Sequence, residues 1–430
     1  MDARTQRGRS WGDGSGRWPA TAVFLLNGLT LSTSIARQPS LKSEHHLTDG
    51  QVGALGLLFA VAAIVSMQFV GPLVARVGSR PVLRVSLVVM PLLLALVGLA
   101  GGFGTLAAAS TALGGVHGMT DAAMNANAVA VERRSGRRIL SGCHAAWSVS
   151  AVVASLATAG LSRAGVPLTA HFVGAAAVLV AGGLVLGPLL PAADDHHADA
   201  ARARRENGSG SGRPGAGRSE AGRSENGWSG AFVALGLSGT ALMICEGAAL
   251  GWGPIFLHDG RGVSLGLAAT AVTAYAAGQT LVRLFGDHLA TRYGAPRVFR
   301  VSGLLAAVGL GVAVLVAEPL AAVAGFAVMG AGMSVLLPLA FSVVGQVRGM
   351  STATAVSRFT TFAYAGVLLG PAAVGWAAEL TGLTRTLAAL LPVLLAVALL
   401  TRLPDSRPPA AAPTATDGHE VPSGSAGSRR

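Results

Sequence analysis

Apolar residues fill this chain in long unbroken runs separated by short polar knots; they neither alternate along strands nor mark a single helix stripe. A helix needs about 20 such residues to cross a bilayer. Runs of that length fall at 19–37, 50–75, 82–101, 105–130, 139–161, 168–190, 230–256, 264–286, 297–317, 319–345, 354–378 and 384–402. Twelve transmembrane helices are expected. The runs at 297–317 and 319–345 nearly abut and are parted by Glu318-Pro319, a natural helix start. Ser34-Ile35-Ala36 has the small-residue look of a cleavage site. The length of the run before it and the many similar runs after it identify 19–37 as a first span instead.

Composition agrees: 51% of residues are hydrophobic and 12% charged, against about a quarter charged in soluble domains. The net charge of +12 would suit a nucleic-acid binder, but the placement of the charges speaks otherwise. With both termini on one side, 27 of the 32 Lys and Arg fall in loops on that side, and Arg37, Lys42, Arg163, Arg261 and Arg385 are left on the other. Cytoplasmic loops collect Lys and Arg, so both termini are expected in the cytoplasm of a bacterial-type cell, with no nucleic-acid partner. Cys143 and Cys245 lie inside apolar runs and read as small buried hydrophobes. No phosphate-binding loop, zinc-ligand set or serine nucleophile motif appears. No cofactor and no metal are expected, and the chain does not read as an enzyme.

Residues 191–229 are Gly/Ser-rich and carry six Arg against six acids, the composition of a flexible linker. The Asp194–Asp199 patch within it, with His196 and His197, reads as solvated loop. The chain therefore divides into a tail at 1–18, a six-helix bundle at 19–190, the linker, a second bundle at 230–402 and a tail at 403–430. The halves repeat: "RVGSRPVLR" at Arg76–Arg84 returns 216 residues later as "RYGAPRVFR" at Arg292–Arg300. Two parallel six-helix repeats joined by a long loop are a transporter architecture that rocks one half against the other.

The loop "GPLVARVGSR" (Gly71–Arg80) resembles the G-x-L-x-D-R-x-G-R-R signature of the major facilitator superfamily, departing at Ala75 where the family has Asp. Its second copy keeps Asp287 and has Thr291 at the acidic position. A narrower resemblance, to the sugar-permease-like branch with the fucose permeases, is carried by "GMTDAAMNANAVAVER" (118–133), "HAAWS" (144–148), "CEGAALGW" (245–252), "FGDHLATRYG" (285–294) and "TTFAYAGVLLGP" (360–371). It implies the twelve-helix fold, a central cavity lined by spans one, four, seven and ten, and a proton-coupling acid at Asp121 with Asn125 four residues on. It also implies gating by the loops after spans two and eight: Gly71, Arg76, Gly78 and Arg80, then Arg283, Asp287, Arg292 and Gly294. The acid such permeases carry in span one has no counterpart; Asn27, Thr30 and Ser34 occupy that face.

In span four, Gly114, Gly118, Asp121 and Asn125 share a helix face, with His117 beside it. Asp121 lies roughly 15 Å from the inner end, near mid-bilayer. A charge there costs at least ~2.5–3.5 kcal/mol, so it must face a cavity, find a partner or hold a proton. Packing by a hydrogen bond to Asn125 is the plainer alternative. Glu246 in span seven is at similar depth. Either acid serves the proton while the other binds solute; Asp121 is favoured for the proton. His144 is a candidate relay. Asn27, Asn125, His117, Trp147, Glu246, Trp252, Gln279 and Tyr364 are candidate solute contacts, and Met329 and Met333 read as packing.

The expected function is secondary active transport of a small polar, sugar-like solute coupled to protons, by a monomer in the cytoplasmic membrane. The partners are the solute, H+ and the lipid bilayer. The alternative is a proton antiporter expelling drug-like compounds, against which the absence of Gly-Pro from span five counts.

Overall fold

The computed structural model describes residues 16–135, 139–191, 229–344 and 352–401. Most of the linker, including the Asp194–Asp199 patch, and nearly all of both tails lie outside the described residues. All regular structure described is helical. The first half comprises α1 (Arg17–Ala36), α2 (Gln38–Glu44), α3 (Asp49–Val77), α4 (Ser79–Gly98), α5 (Phe103–Ser135), α6 (Leu140–Arg163) and α7 (Leu168–Leu186). The second comprises α8 (Gly230–Gly260), α9 (Leu265–Arg283), α10 (Gly286–Tyr293), α11 (Ala295–Leu315), α12 (Pro319–Val344), α13 (Thr352–Thr381) and α14 (Leu383–Leu400).

Eleven of these are long and apolar enough to cross a membrane. Of the other three, α2 and α10 are too short, and α5 is long enough but carries His117, Asp121, Asn125 and Asn127. Large apolar side chains such as Leu284, Val178 and Leu380 remain exposed, as suits a lipid-facing periphery.

Glycine sets the helix contacts. A Cβ on Gly114 of α5 would collide with the backbone of Phe59 in α3, and one on Gly118 with Ala63. In the second half, a Cβ on Gly330 of α12 would collide with the backbone of Tyr275 in α9. Tyr275 and Gly330 lie 216 residues after Phe59 and Gly114, so the repeat seen in the loops extends to one close helix contact in each bundle. Gly78 and Gly294, at the same offset, both hold positive φ, +82° and +84°, between one helix and the next. With ψ near 150° that region is open essentially to glycine alone, which explains the glycine in each loop.

The halves meet along two seams that are copies of each other. Gly53 of α3 rests on Pro371 and Gly375 of α13. Its counterpart Ala269 of α9 is buried with Ala159 of α6, beside a 2.6 Å hydrogen bond between the Ser155 and Thr273 hydroxyls. Both seams lie toward one end of the molecule, here the Lys42 face; the opposite end, where α7 runs into the linker, is the linker face. On the Lys42 face, Arg37 donates to Nδ1 of His171 at 3.0 Å and to the Val166 carbonyl at 2.8 Å. Arg261 donates to the Val314 carbonyl at 2.6 Å. These residual arginines tie helix ends within their own halves. Burial holds the Arg37 pKa below its usual value.

Candidate functional site

Three cavities stack along the interface between the halves. The central one, about 550 Å³, is lined by Phe59, His117, Asp121 and Trp147 from the first half and by Leu337, Phe341 and Tyr364 from the second. Toward the linker face, sharing Leu337 and Phe341, lies a cavity of about 760 Å³ lined by His144, Ser148, Glu246, Thr280 and Arg283, with Met333 and Ser334. Toward the Lys42 face, sharing Phe59, Ala60 and Val367 with the central one, lies a smaller cavity of about 260 Å³ that contains Trp252.

The glycine stripe of α5 explains how Asp121 reaches the column. Gly114 and Gly118 seat the helix hard against α3, and one turn further on the same face presents Asp121 where α3 and α5 bound the cavity. Asn125 donates to the Asp121 backbone carbonyl at 2.8 Å and leaves the carboxylate alone. The described ion pairs both belong to Lys42. Asp121 has no hydrogen-bonding or ionic partner for its side chain among the described residues. His117 stacks on Phe59 with ring centroids 5.5 Å apart, and its Nδ1 is buried without a partner.

Asn27 does not line the column. It is 1% exposed, accepts from Trp147 Nε1 at 3.3 Å and contacts Met90 Sδ at 3.5 Å. It holds the indole from behind, so Trp147 offers the cavity its ring and not its N–H. Glu246 accepts from Gln279 at 2.8 Å. Near it the Tyr275 hydroxyl and Thr280 Oγ1 are buried without partners. His144, in edge contact with Phe24, lines the same cavity as Arg283. Asp121 and Glu246 therefore occupy adjoining cavities, each lined in part by the other half.

Of the loop residues expected to gate, Arg283 lines the cavity between the halves, while Arg80 bonds within its own half. Arg80 donates to the Pro188 carbonyl at 2.9 Å and Arg84 to the Gly187 carbonyl at 2.8 Å, where they satisfy the carbonyl end of α7. Arg292 stacks on Tyr293. Gly71 lies in α3 with open space beside it, and Arg76 is exposed. The side chain of Asp287 lies outside the described residues.

Contacts across the halves gather at the Lys42 face. Lys42 bridges Asp49 of its own half and Asp259 of the other, at 2.5 Å each. Glu379 accepts from the Gly50 N–H at 2.8 Å, at the start of α3, which Thr48 and Gln51 also cap reciprocally. Burial works against the Lys42 ammonium, but the hydrogen bonds it donates to Asp259 and Asp49, with their charges, outweigh it and raise its pKa. The column is thus shut at the Lys42 face, and its largest cavity lies toward the linker face.

The sequence alone did not single out Tyr275, Thr280, Ser148, Phe59, Phe341 or Leu337. Laying the halves over each other at the 216-residue offset would have found them. Ile64 and Met67 of the central cavity correspond to Thr280 and Arg283 of its neighbour, Asp121 to Leu337, and Tyr364 to Ser148. The two larger cavities are repeats of one another. No group of three or more metal-ligating side chains lies among the described residues.

Two repeated helical halves around an interfacial column of cavities define a multi-pass membrane carrier. The sequence profile of the Major Facilitator Superfamily matches residues 20–272 and again 235–428, and the chain belongs to that superfamily. It is similar to the uncharacterized transporter y4wD of Sinorhizobium fredii, at 33% identity over 84% of this chain and 91% of that protein. It is also similar to an uncharacterized MFS-type transporter of Yersinia pestis, at 31% identity over 88% and 93%. Among solved structures it shares the fold of the nucleoside transporter NupG, with TM-score 0.69, 14% identity and coverage of 90% and 98%. It shares it likewise with a D-xylose-proton symporter, with TM-score 0.66, 15% identity and the same coverage. The chain is a transporter of the cell membrane.

Proposed function

We propose that this transporter moves a small polar solute, sugar-like in size and hydroxyl content, by alternating access coupled to protons at Asp121. The observation that carries the reading is an unpaired carboxylate in a cavity shared by both halves, in a helix otherwise built for close packing. In hydrocarbon such a group must be solvated, paired or protonated, and a carrier that alternates its exposure alternates its protonation. Glu246, Gln279, Thr280, Ser148 and His144 supply the hydrogen-bonding groups for the solute in the adjoining cavity.

In this reading the domain boundaries are those expected from the sequence, both termini are cytoplasmic, and α5 crosses as the twelfth span. The linker face is then the cytoplasmic face, and the structure is the inward-facing form. One chain supplies both cavities, so a monomer suffices. The likeness to the D-xylose-proton symporter supports the reading by fold only.

The test is solute-driven proton movement in reconstituted vesicles, screened over sugars, polyols and amino-substituted polyols. Asp121→Asn is expected to abolish coupled accumulation while leaving solute exchange. Full proton-driven accumulation by that variant would overturn the assignment.

A further inference from the structure

We infer that the cargo carries an ammonium group and that the central cavity receives it at Asp121; this rests on the reading of Asp121 as an ionisable cavity residue. The first ground is charge. The described residues lining the two joined cavities include Asp121, Glu246 and one guanidinium, Arg283; the remaining titratable groups there are His117, His144 and Tyr364. With both imidazoles neutral the column is short of one positive charge. Arg283 lines the same cavity as Glu246, and no lysine or arginine among the described residues lines the cavity of Asp121, so the deficit sits at Asp121.

The second ground is what surrounds Asp121. Phe59, Trp147, Phe341 and Tyr364 line the same cavity, with methionine and aliphatic side chains between them. Because Asn27 occupies the Trp147 N–H, the indole contributes its π surface and not a donor. Aromatic faces around a carboxylate attract an organic cation by cation–π and charge terms together. A bare metal cation instead requires several oxygen ligands, and the cavity offers one carboxylate. The Arg283 cavity next door suits the hydroxylated remainder of the same molecule. A volume of about 550 Å³ is of the size that holds a small organic ligand.

A proton and an ammonium exclude each other at one carboxylate, so binding is expected to weaken as pH falls. Protonation of His117, four residues away on the same helix, would act in the same direction.

The experiment uses the purified full chain and tetramethylammonium chloride as probe, with sodium chloride at equal ionic strength as control. Binding is read by thermal unfolding and by equilibrium titration at several pH values. Tetramethylammonium is expected to raise the melting temperature saturably where sodium does not, less so at acid pH. Affinity should drop roughly tenfold or more in Asp121→Asn, the scale of one charge contact at about 1.4 kcal/mol, and persist in Glu318→Gln, an exposed acid outside the column. Protection no greater than that of sodium overturns the inference, as does equal protection of wild type and Asp121→Asn. The wild-type pH series stands even if a variant fails to fold: binding that does not weaken at acid pH also overturns it. Solute-driven proton movement through Asp121 without ammonium binding sinks this inference alone. Ammonium binding without proton movement sinks the coupling reading alone.

Discussion

The two large cavities are the same place in two copies of one fold, yet their chemistry is nearly complementary. Where the first-half copy has Asp121, the second has Leu337; where the second has Arg283, Gln279 and Thr280, the first has Met67, Ala63 and Ile64. Glu246 answers to Thr30, and Tyr275 to Phe59. One close helix contact beneath them is kept in both halves: Gly114 on Phe59 is matched by Gly330 on Tyr275. At that contact the backbones approach so closely that both copies keep the glycine, whereas Gly118 is answered by Ser334. Side chains facing the column meet cargo and water, and a cargo has no two-fold symmetry to match.

Three measurements test that separation of scaffold from chemistry. The largest effect is expected from filling the shared scaffold. Gly114→Leu and Gly330→Leu each force a side chain into a helix backbone, and overpacking costs about 1–3 kcal/mol or more. Both should lower the melting temperature and expression alike; a variant tolerated in one half only would break the equivalence.

Next comes the seal. Lys42→Met removes the cation that joins Asp49 to Asp259 and leaves two carboxylates facing each other. Ion pairs near a surface are worth about 0.2–1 kcal/mol, so a shift of several-fold toward the form open at the Lys42 face is expected. It is measured by thiol labelling of a cysteine placed at Leu250. Because Lys42 has a raised pKa, the folded state holds its proton more tightly than the unfolded chain. The stabilisation is full below the usual lysine value of about 10.4 and declines as pH rises through the raised one. Labelling in wild type should therefore stay low through neutral pH and climb only in strong alkali.

The smallest effect belongs to Asn27→Leu, which frees the Trp147 indole without touching the column. A lost hydrogen bond of about 0.5–1.5 kcal/mol predicts a fewfold weaker tetramethylammonium affinity, read by the same titration. Unchanged affinity would mean that the ring needs no support from behind.

Much of the fold could be read from the chain because hydrocarbon is a strict solvent. Its demands on run length and on loop charge gave span positions close to the helices seen, and the R-x-G loops revealed the duplication. Asp121 and Glu246 stood out for the same reason: an acid in an apolar run is costly. What periodicity could not supply is which way a polar face turns. Asn27 looks like a cavity residue on span one and lies instead behind Trp147. Arg80, expected from the loop to gate, caps α7 in its own half, as Arg84 does beside it. Tyr275 and Thr280 carry no charge, so nothing in their local sequence marks them. The polar residues that mark α5 as the candidate site also leave that helix less apolar than the eleven spans around it.

The cap that Glu379 places on the first turn of α3 has a further consequence. It comes from the opposite half, so parting the halves uncovers a helix start that the Thr48–Gln51 box still partly satisfies and that water can complete. The Lys42 bridge is likewise made of groups that hydrate readily. At this end of the molecule, separation exchanges protein partners for solvent ones and strands no donor in a dry place. A closure built from replaceable bonds can release without the help of a large driving force, which is what a device that must cycle requires.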